Sequence, residues 1–356
     1  MSQRTVLFDV QSAAGGKIID FHGWQMPVQF AGITAEHQAV RTAAGTFDLG
    51  HMGRLRLDGP GAVKFLERHC TRRLADMKPG VVRYALVLAE DGTVEDDILV
   101  SRESVDSFHV VVNGANRVKI LGLWKADLPA DVHLADISAD QAMLACQGPR
   151  AMDRLAGLGL DGRSLKNYAF LDATWEGLPV RISRTGYTGE DGAELFIAAE
   201  HAPRLWKAVV AAGCQPCGLG CRDTLRLEAG MPLYGNELDR SVTPVEAGLG
   251  FAVRAEGGFI GAGRVLGHLN AGPPRKLVGI EVHDRRVPRH GYQILHNDAP
   301  VGVVTSGTLS PTLGKAIGMA YVPAELAATG TRVIVDIRGS RCAADIVPLP
   351  FYKRAR

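Results

Sequence analysis

Strands and helices follow one another in this chain without a regular βαβ cadence, and that irregularity constrains the fold most. A doubly wound parallel sheet needs strand, helix and strand in steady rotation. Here strands meet at tight turns instead. Val82 to Leu88 and Val94 to Val100 flank Glu90-Asp91-Gly92-Thr93, which predicts a β-hairpin turning at Asp91-Gly92. Arg54 to Asp58 alternates like a half-buried strand and stops at Gly59-Pro60. Helices break into this pattern. One is predicted over residues 35–41, with Thr34 as N-cap and Gly45 as stop. A second runs from Ala62 to Cys70 with Ala62, Phe65, Leu66 and Cys70 inward, and a third starts at Asn116 and carries Val118, Leu121 and Trp124. The fold class is α+β.

Ala271-Gly272-Pro273-Pro274 marks a domain boundary, because paired prolines stop both a helix and a central strand. Short alternating strands follow at Leu277 to Val282, Val301 to Thr305, Ile317 to Val322 and Arg332 to Ile337, predicting a small β-barrel or sandwich. The 356 residues suffice for two or three domains. A net charge of +2 points away from nucleic acid, and no apolar stretch approaches the roughly 18 residues that span a bilayer. The start, Met1 to Val6, lacks the apolar region of a secretory signal, so a reducing cytoplasm is expected. The six cysteines do not form a disulfide pattern. Cys214-Gln215-Pro216-Cys217 with Cys221 offers three metal ligands and no nearby histidine, which leaves a structural zinc site incomplete. No metal is expected.

The tract from Arg184 to Leu195, RTGYTGEDGAEL, is poor core material. Gly186, Gly189 and Gly192 allow sharp bends and close approach to a flat partner. Tyr187 offers a ring with a hydroxyl tip, and Glu194 can accept two parallel N–H bonds from a planar nitrogen heterocycle. That combination suits a pterin. A second acidic feature is Glu95-Asp96-Asp97 inside an apolar strand, where carboxylates cost free energy unless paired. Alternation puts Asp96 on one face and Asp97 on the other, and does not choose between them. Ser306 to Ala316 looks superficially like a phosphate loop, but its glycine spacing is wrong and Ala316 replaces the magnesium-binding hydroxyl.

These segments together resemble the T-protein (aminomethyltransferase) family of the glycine cleavage system. The likeness runs through Phe21-His22-Gly23-Trp24, Phe47 to Gly53, Val94 to Asp97, Val111 to Asn116, the Arg184 tract, Gly218 to Gly230, Tyr234 to Asp239 and Thr305 to Lys315. It implies a three-domain cloverleaf around a central tetrahydrofolate cavity. The discontinuous folate-binding domain would span 1–50 plus 135–245, a second α+β domain 51–134, and a C-terminal β domain 273–356. It implies transfer of a one-carbon unit from the aminomethyl-lipoyl arm of H-protein to tetrahydrofolate, with ammonia released. By matching position, Asp97 is the catalytic acid. Tyr84, Asn113, Tyr187, Glu194 and Arg222 are folate contacts, and Met52 and Phe251 line the apolar walls.

The chain departs from the family pattern in several places. Phe251 stands where tryptophan is usual, and Thr71-Arg72-Arg73 where the family has Thr-Asn-Asp. Gly50 replaces a serine, Thr93 a glycine, and Glu95 an apolar residue. Two other readings share the folate pocket: a demethylase of a small methylated amine or sulfur compound, and a non-catalytic folate-binding protein.

Overall fold

The computed structural model describes residues 2–355. The chain divides into two compact units. The first takes in residues up to Glu67, Arg73–Ala85 and Ile98–Asp223; the second takes Arg68–Arg72, Leu86–Asp97 and Thr224 onward.

The first unit is built on a six-stranded sheet with spatial order Phe170–Trp175, Leu178–Ser183, Gly192–Ala198, Gln141–Gln147, Gly45–Asp48, Gln215–Pro216. Neighbours are antiparallel except the last pair. Strand Gly192–Ala198 explains how the sheet serves two purposes. Ala193, Leu195 and Ile197 enter one core with Leu144, Cys146, Leu205 and Trp206. Each buried aliphatic side chain there contributes about 1.5–3 kcal/mol. Alternation sends Glu194 and Phe196 to the opposite face, where Glu194 is still buried. Register pairs Glu194 with Ser183 on one side and Ala145 on the other.

A three-stranded sheet near the N-terminus contains Lys17–Phe21 and Trp24–Gln29. His22 and Gly23 both have positive φ (50° and 83°), the geometry a two-residue hairpin turn requires. A five-stranded sheet orders Val82–Leu88, Val94–Arg102, Ser107–Val112, Gly53–Asp58 and His133–Asp136. Gly92 turns the expected hairpin with φ 80°.

One helix reading needs correction. The helix predicted from Thr34 is Ile33–Thr42, and its N-cap is Gly32. Glu36 reaches back to accept the Phe30 and Gly32 N–H groups at 2.6 and 3.1 Å, doing what a threonine cap does elsewhere. Helix Arg117–Ala126 buries Ile120 and Trp124, while Val118 is 81% exposed.

In the second unit, helix Ala262–Ala271 stops at Gly272, and a closed six-stranded barrel starts at Arg275. Its order is Arg275–Val282, Ala316–Pro323, Ala299–Leu309, Gln293–His296, Arg332–Ile337, Ser340–Val347, and the last strand pairs with the first. The loop that resembled a phosphate cradle holds a carboxylate instead. Glu228 accepts Ser310 Oγ at 2.5 Å, Thr312 N at 3.0 Å and Thr312 Oγ1 at 2.7 Å.

Candidate functional site

The Arg184 tract is clamped from several directions. Arg41 donates to the Thr188 carbonyl at 2.7 Å and to Glu190 at 2.9 Å. Gln147 donates to the Thr185 carbonyl and accepts the Thr188 hydroxyl. The glycines serve this packing. A Cβ at Gly186 would lie 2.1 Å from Gln147 Oε1, and one at Gly192 would lie 2.2 Å from the Cys146 carbonyl. Their close approach is to the protein's own strand, and the surface so fixed carries Thr185, Tyr187 and Glu194.

Glu194 is the electrostatic centre of the first unit's site. Burial raises its pKa above the usual carboxylate value. The Thr185 hydroxyl donates to Oε2 at 2.5 Å, and that bond and the Arg222 charge act in the opposite sense. With that proton committed to Glu194, the Thr185 hydroxyl oxygen accepts from the Ser183 hydroxyl, 3.1 Å away. The Arg222 guanidinium lies 4.7 Å from the centre of the Tyr187 ring, a cation–π stack. Three of the expected folate contacts, Tyr187, Glu194 and Arg222, are therefore physically coupled.

Met52, Tyr84 and Asn113 are half-buried in the same unit. Asn113 caps the short 3₁₀ turn Gly114–Asn116. Met52 follows a loop fixed by buried Arg54, which donates to the Gly50 carbonyl at 3.0 Å and the Met52 carbonyl at 2.5 Å. Gly50 leaves room for Asp48, whose carboxylate accepts the Gly50 N–H and the Thr5 hydroxyl. A Cβ at position 50 would meet Thr5 at 3.0 Å.

Asp97 and Phe251 belong to the second unit. On strand Val94–Arg102, Val94, Asp96, Ile98 and Val100 are fully buried, and Asp97 and Leu99 are half-buried on the other face. Glu95 is spoken for: Arg240 donates to it at 2.5 Å and also to Thr93 Oγ1 at 3.0 Å. Phe251 is 68% exposed, and its carbonyl accepts a bond from Arg72.

Sequence reasoning overlooked three residues. Thr185 lies within the motif but was not assigned a role. Desolvation of its hydroxyl by the surrounding protein, and after it the Glu194 charge, push the Tyr168 phenol pKa up although the residue as a whole is 49% exposed; its φ of 59° leaves no sequence signal. His51 sits beside Met52 and within electrostatic reach of Arg222.

Two other clusters fit the site less well. Glu36, Cys217 and Cys221 place donor atoms within 4.8 Å of one another. However, the Glu36 oxygens already accept the N–H groups of Phe30, Gly32 and Gly218, and burial raises the Cys217 thiol. A concavity of about 410 Å³ on the barrel is lined by Arg286, Arg289, Tyr292 and Arg338, among others. It has no carboxylate for heterocyclic N–H groups.

Residues 7–257 match the family described as the GCVT N-terminal domain, and residues 275–353 match the glycine cleavage T-protein C-terminal barrel domain. The chain is 48% identical to an aminomethyltransferase of Geobacillus kaustophilus over the full length of both. It is 44% identical to that of Bacillus subtilis, covering 99% of this chain and all of the other. The crystal structure of the glycine cleavage system aminomethyltransferase T from Bartonella henselae superposes with a TM-score of 0.94 at 32% identity, covering 99% of each chain.

Proposed function

We propose that this chain, which belongs to the glycine cleavage T-protein family, is a tetrahydrofolate-dependent aminomethyltransferase. It takes the one-carbon unit from the aminomethyl-lipoyl arm of H-protein, delivers it to tetrahydrofolate and releases ammonia. The observation that carries this reading is the buried Glu194, oriented by Thr185 and balanced by an Arg222 stacked on Tyr187. The residues fit a reduced pterin. An ionised Glu194 accepts its N–H groups, Tyr187 and Met52 cover its faces, and Tyr84, Asn113 and Arg222 hold the rest. When bound, tetrahydrofolate supplies the nucleophilic nitrogen for the transferred carbon.

Asp97 is the acid–base residue of this reading. Positive charge develops at the transferred carbon as its bond to the leaving group breaks, and a carboxylate in a water-poor cleft stabilises that charge. The same group passes a proton to the departing amine. Its half-buried position, beside a fully buried Asp96 and an ion-paired Glu95, supports Asp97 as the accessible member of the triplet. Phe251 supplies an apolar wall.

The three-domain division given above belongs to this reading; the family matches that stop at 257 and resume at 275 support its C-terminal boundary. A reducing cytoplasm suits a chain with none of its six cysteines in a disulfide.

The deciding experiment measures ammonia release from aminomethylated H-protein with and without tetrahydrofolate. Release that needs H-protein and is accelerated by tetrahydrofolate is expected. Turnover of a small methylated amine or sulfur compound in place of H-protein would instead make the chain a demethylase.

A further inference from the structure

We propose that the recess on the C-terminal barrel is a binding site for a small polyanion, a phosphate or carboxylate compound; it does not depend on the folate reading. The recess has a volume of about 410 Å³, within the range of small-molecule sites, and lies wholly in the second unit. Its lining carries the guanidinium groups of Arg286, Arg289 and Arg338, a hydroxyl each from Tyr292 and Ser340, and no carboxylate. The apolar part is drawn in: Ile337 is buried, and Tyr292 and Val287 are half-buried. The three arginines are exposed around it.

Positive charge in the recess is answered at one arginine of the three. Arg286 is held by Asp284, which accepts its Nε at 2.8 Å and a second guanidinium N–H. Among the described residues, neither Arg289 nor Arg338 pairs with a carboxylate. Arg289 donates to the Gly307 carbonyl at 3.3 Å, and Arg338 donates through Nε to the Tyr292 hydroxyl at 3.1 Å. Their other N–H groups remain for a ligand, and the Tyr292 phenol can pass its own hydrogen onward. Elsewhere on the barrel exposed arginines have acidic partners: Arg332 lies 3.6 Å from Asp345, and Arg341 pairs with Asp298. Like charges gathered in a concavity concentrate their field on an anion, and each guanidinium fork matches two oxygens of a phosphate or carboxylate.

The backbone holds these groups in place without a ligand. A Cβ at Gly307 would lie 2.0 Å from the Pro288 carbonyl, so the segment leading into Arg289 is seated directly on strand Ala299–Leu309. Tyr292 N–H donates to the Arg289 carbonyl at 3.1 Å, and Val304 N–H donates to the Tyr292 carbonyl at 2.8 Å. Opposite them, Ile337 pairs with Ser340 across the two-residue turn Arg338-Gly339, with φ of 54° and 80°. Asparagine, aspartate or glycine is usual at the first of these positions, and an arginine adopts that conformation at a cost. Here the turn sets the arginine side chain against Tyr292.

The test titrates the full chain with two probes, inorganic pyrophosphate and citrate, by calorimetry at about 0.15 M ionic strength. At least one probe is expected to half-saturate below about 1 mM. Pyrophosphate alone would assign a phosphate ligand, citrate alone a carboxylate, and both the shared chemistry. Arg289→Gln and Arg338→Gly should each weaken binding roughly tenfold or more, while Arg332→Gln, elsewhere on the barrel, leaves it unchanged. Glycine suits the positive φ at position 338, so Arg338→Gly keeps the turn and reports the lost guanidinium. The amide signals of Gly291 and Gly339 should move in wild type over the same titration. Three results would each overturn the site: neither probe binding below about 1 mM, full affinity in Arg289→Gln and Arg338→Gly, or an equal loss in Arg332→Gln. None of them bears on the H-protein assay, which uses different reactants.

Discussion

A carboxyl group accepts two parallel N–H bonds only while ionised, and Glu194 is buried where ionisation is disfavoured. Its pKa lies above the ordinary glutamate value, so on acidification the ionised form is lost earlier than for an exposed glutamate. Tetrahydrofolate affinity should therefore fall as pH drops, beginning above the ordinary glutamate range near 4.5. Glu194→Gln should weaken binding roughly 10- to 100-fold at neutral pH and flatten this dependence. Calorimetry across pH 5 to 8 checks both. A glutamine variant with wild-type affinity would remove Glu194 from the pterin contact. Asp97→Asn should behave differently, keeping folate affinity while ammonia release slows by about 10²-fold or more. Single-turnover assays with aminomethylated H-protein separate the two residues, since one change falls on binding and the other on rate.

At the scale of elements, four of the departures from the family pattern turn out to be coupled in pairs. Thr93 and Glu95 both bind Arg240, and Arg72 donates to the backbone of Phe251. Each substituted position was visible in the sequence, but their partners lie far along the chain and share no periodicity with them. Strand alternation likewise separated Asp96 from Asp97 without saying which face was closed, because that depends on what packs against the strand. Arg240→Met should destabilise the second unit by about 1–3 kcal/mol, since it takes the guanidinium away from a carboxylate that is 5% exposed. The half-exposed guanidinium keeps the loss below that of a fully buried pair. Pairing it with Glu95→Leu, which returns an apolar residue to that strand, should recover most of the stability. Urea unfolding of the two single variants and the double variant closes the cycle. Additive losses would mean that the pair is not coupled.

Across the whole molecule, the sequence was most legible where structure is local. The hairpin at Asp91-Gly92, the stop at Gly272 and four barrel strands follow from turn residues and alternation. Gln293–His296 escaped because four residues give too short a pattern, and Ser340–Val347 because alanines and a cysteine make a faint alternation. Burial of polar groups was the least legible property, since it is set by long-range assembly such as Gly45–Asp48 pairing with Gln141–Gln147. It also dictates how the fold responds to acid. His51 and His109 are held neutral, with pKa values pushed down to about 3 and about 4 from 6.5, chiefly by burial. Between those values and 6.5 the unfolded chain binds protons that the folded chain refuses, so stability falls as pH falls. Asp48 and Glu194 oppose this, because burial raises their pKa values and the folded state gains protons first. Replacing one histidine isolates its share. His109→Gln should be less stable than wild type at pH 7, since the Nε2 bond to Gln141 is lost, yet lose less on going to pH 5. Over the 1.5 pH units below 6.5, one histidine accounts for at most about 2 kcal/mol, which bounds the difference in slope. Urea midpoints at pH 7 and pH 5 for both proteins measure it, and parallel losses would mean that His109 is protonated in the native protein well above pH 4.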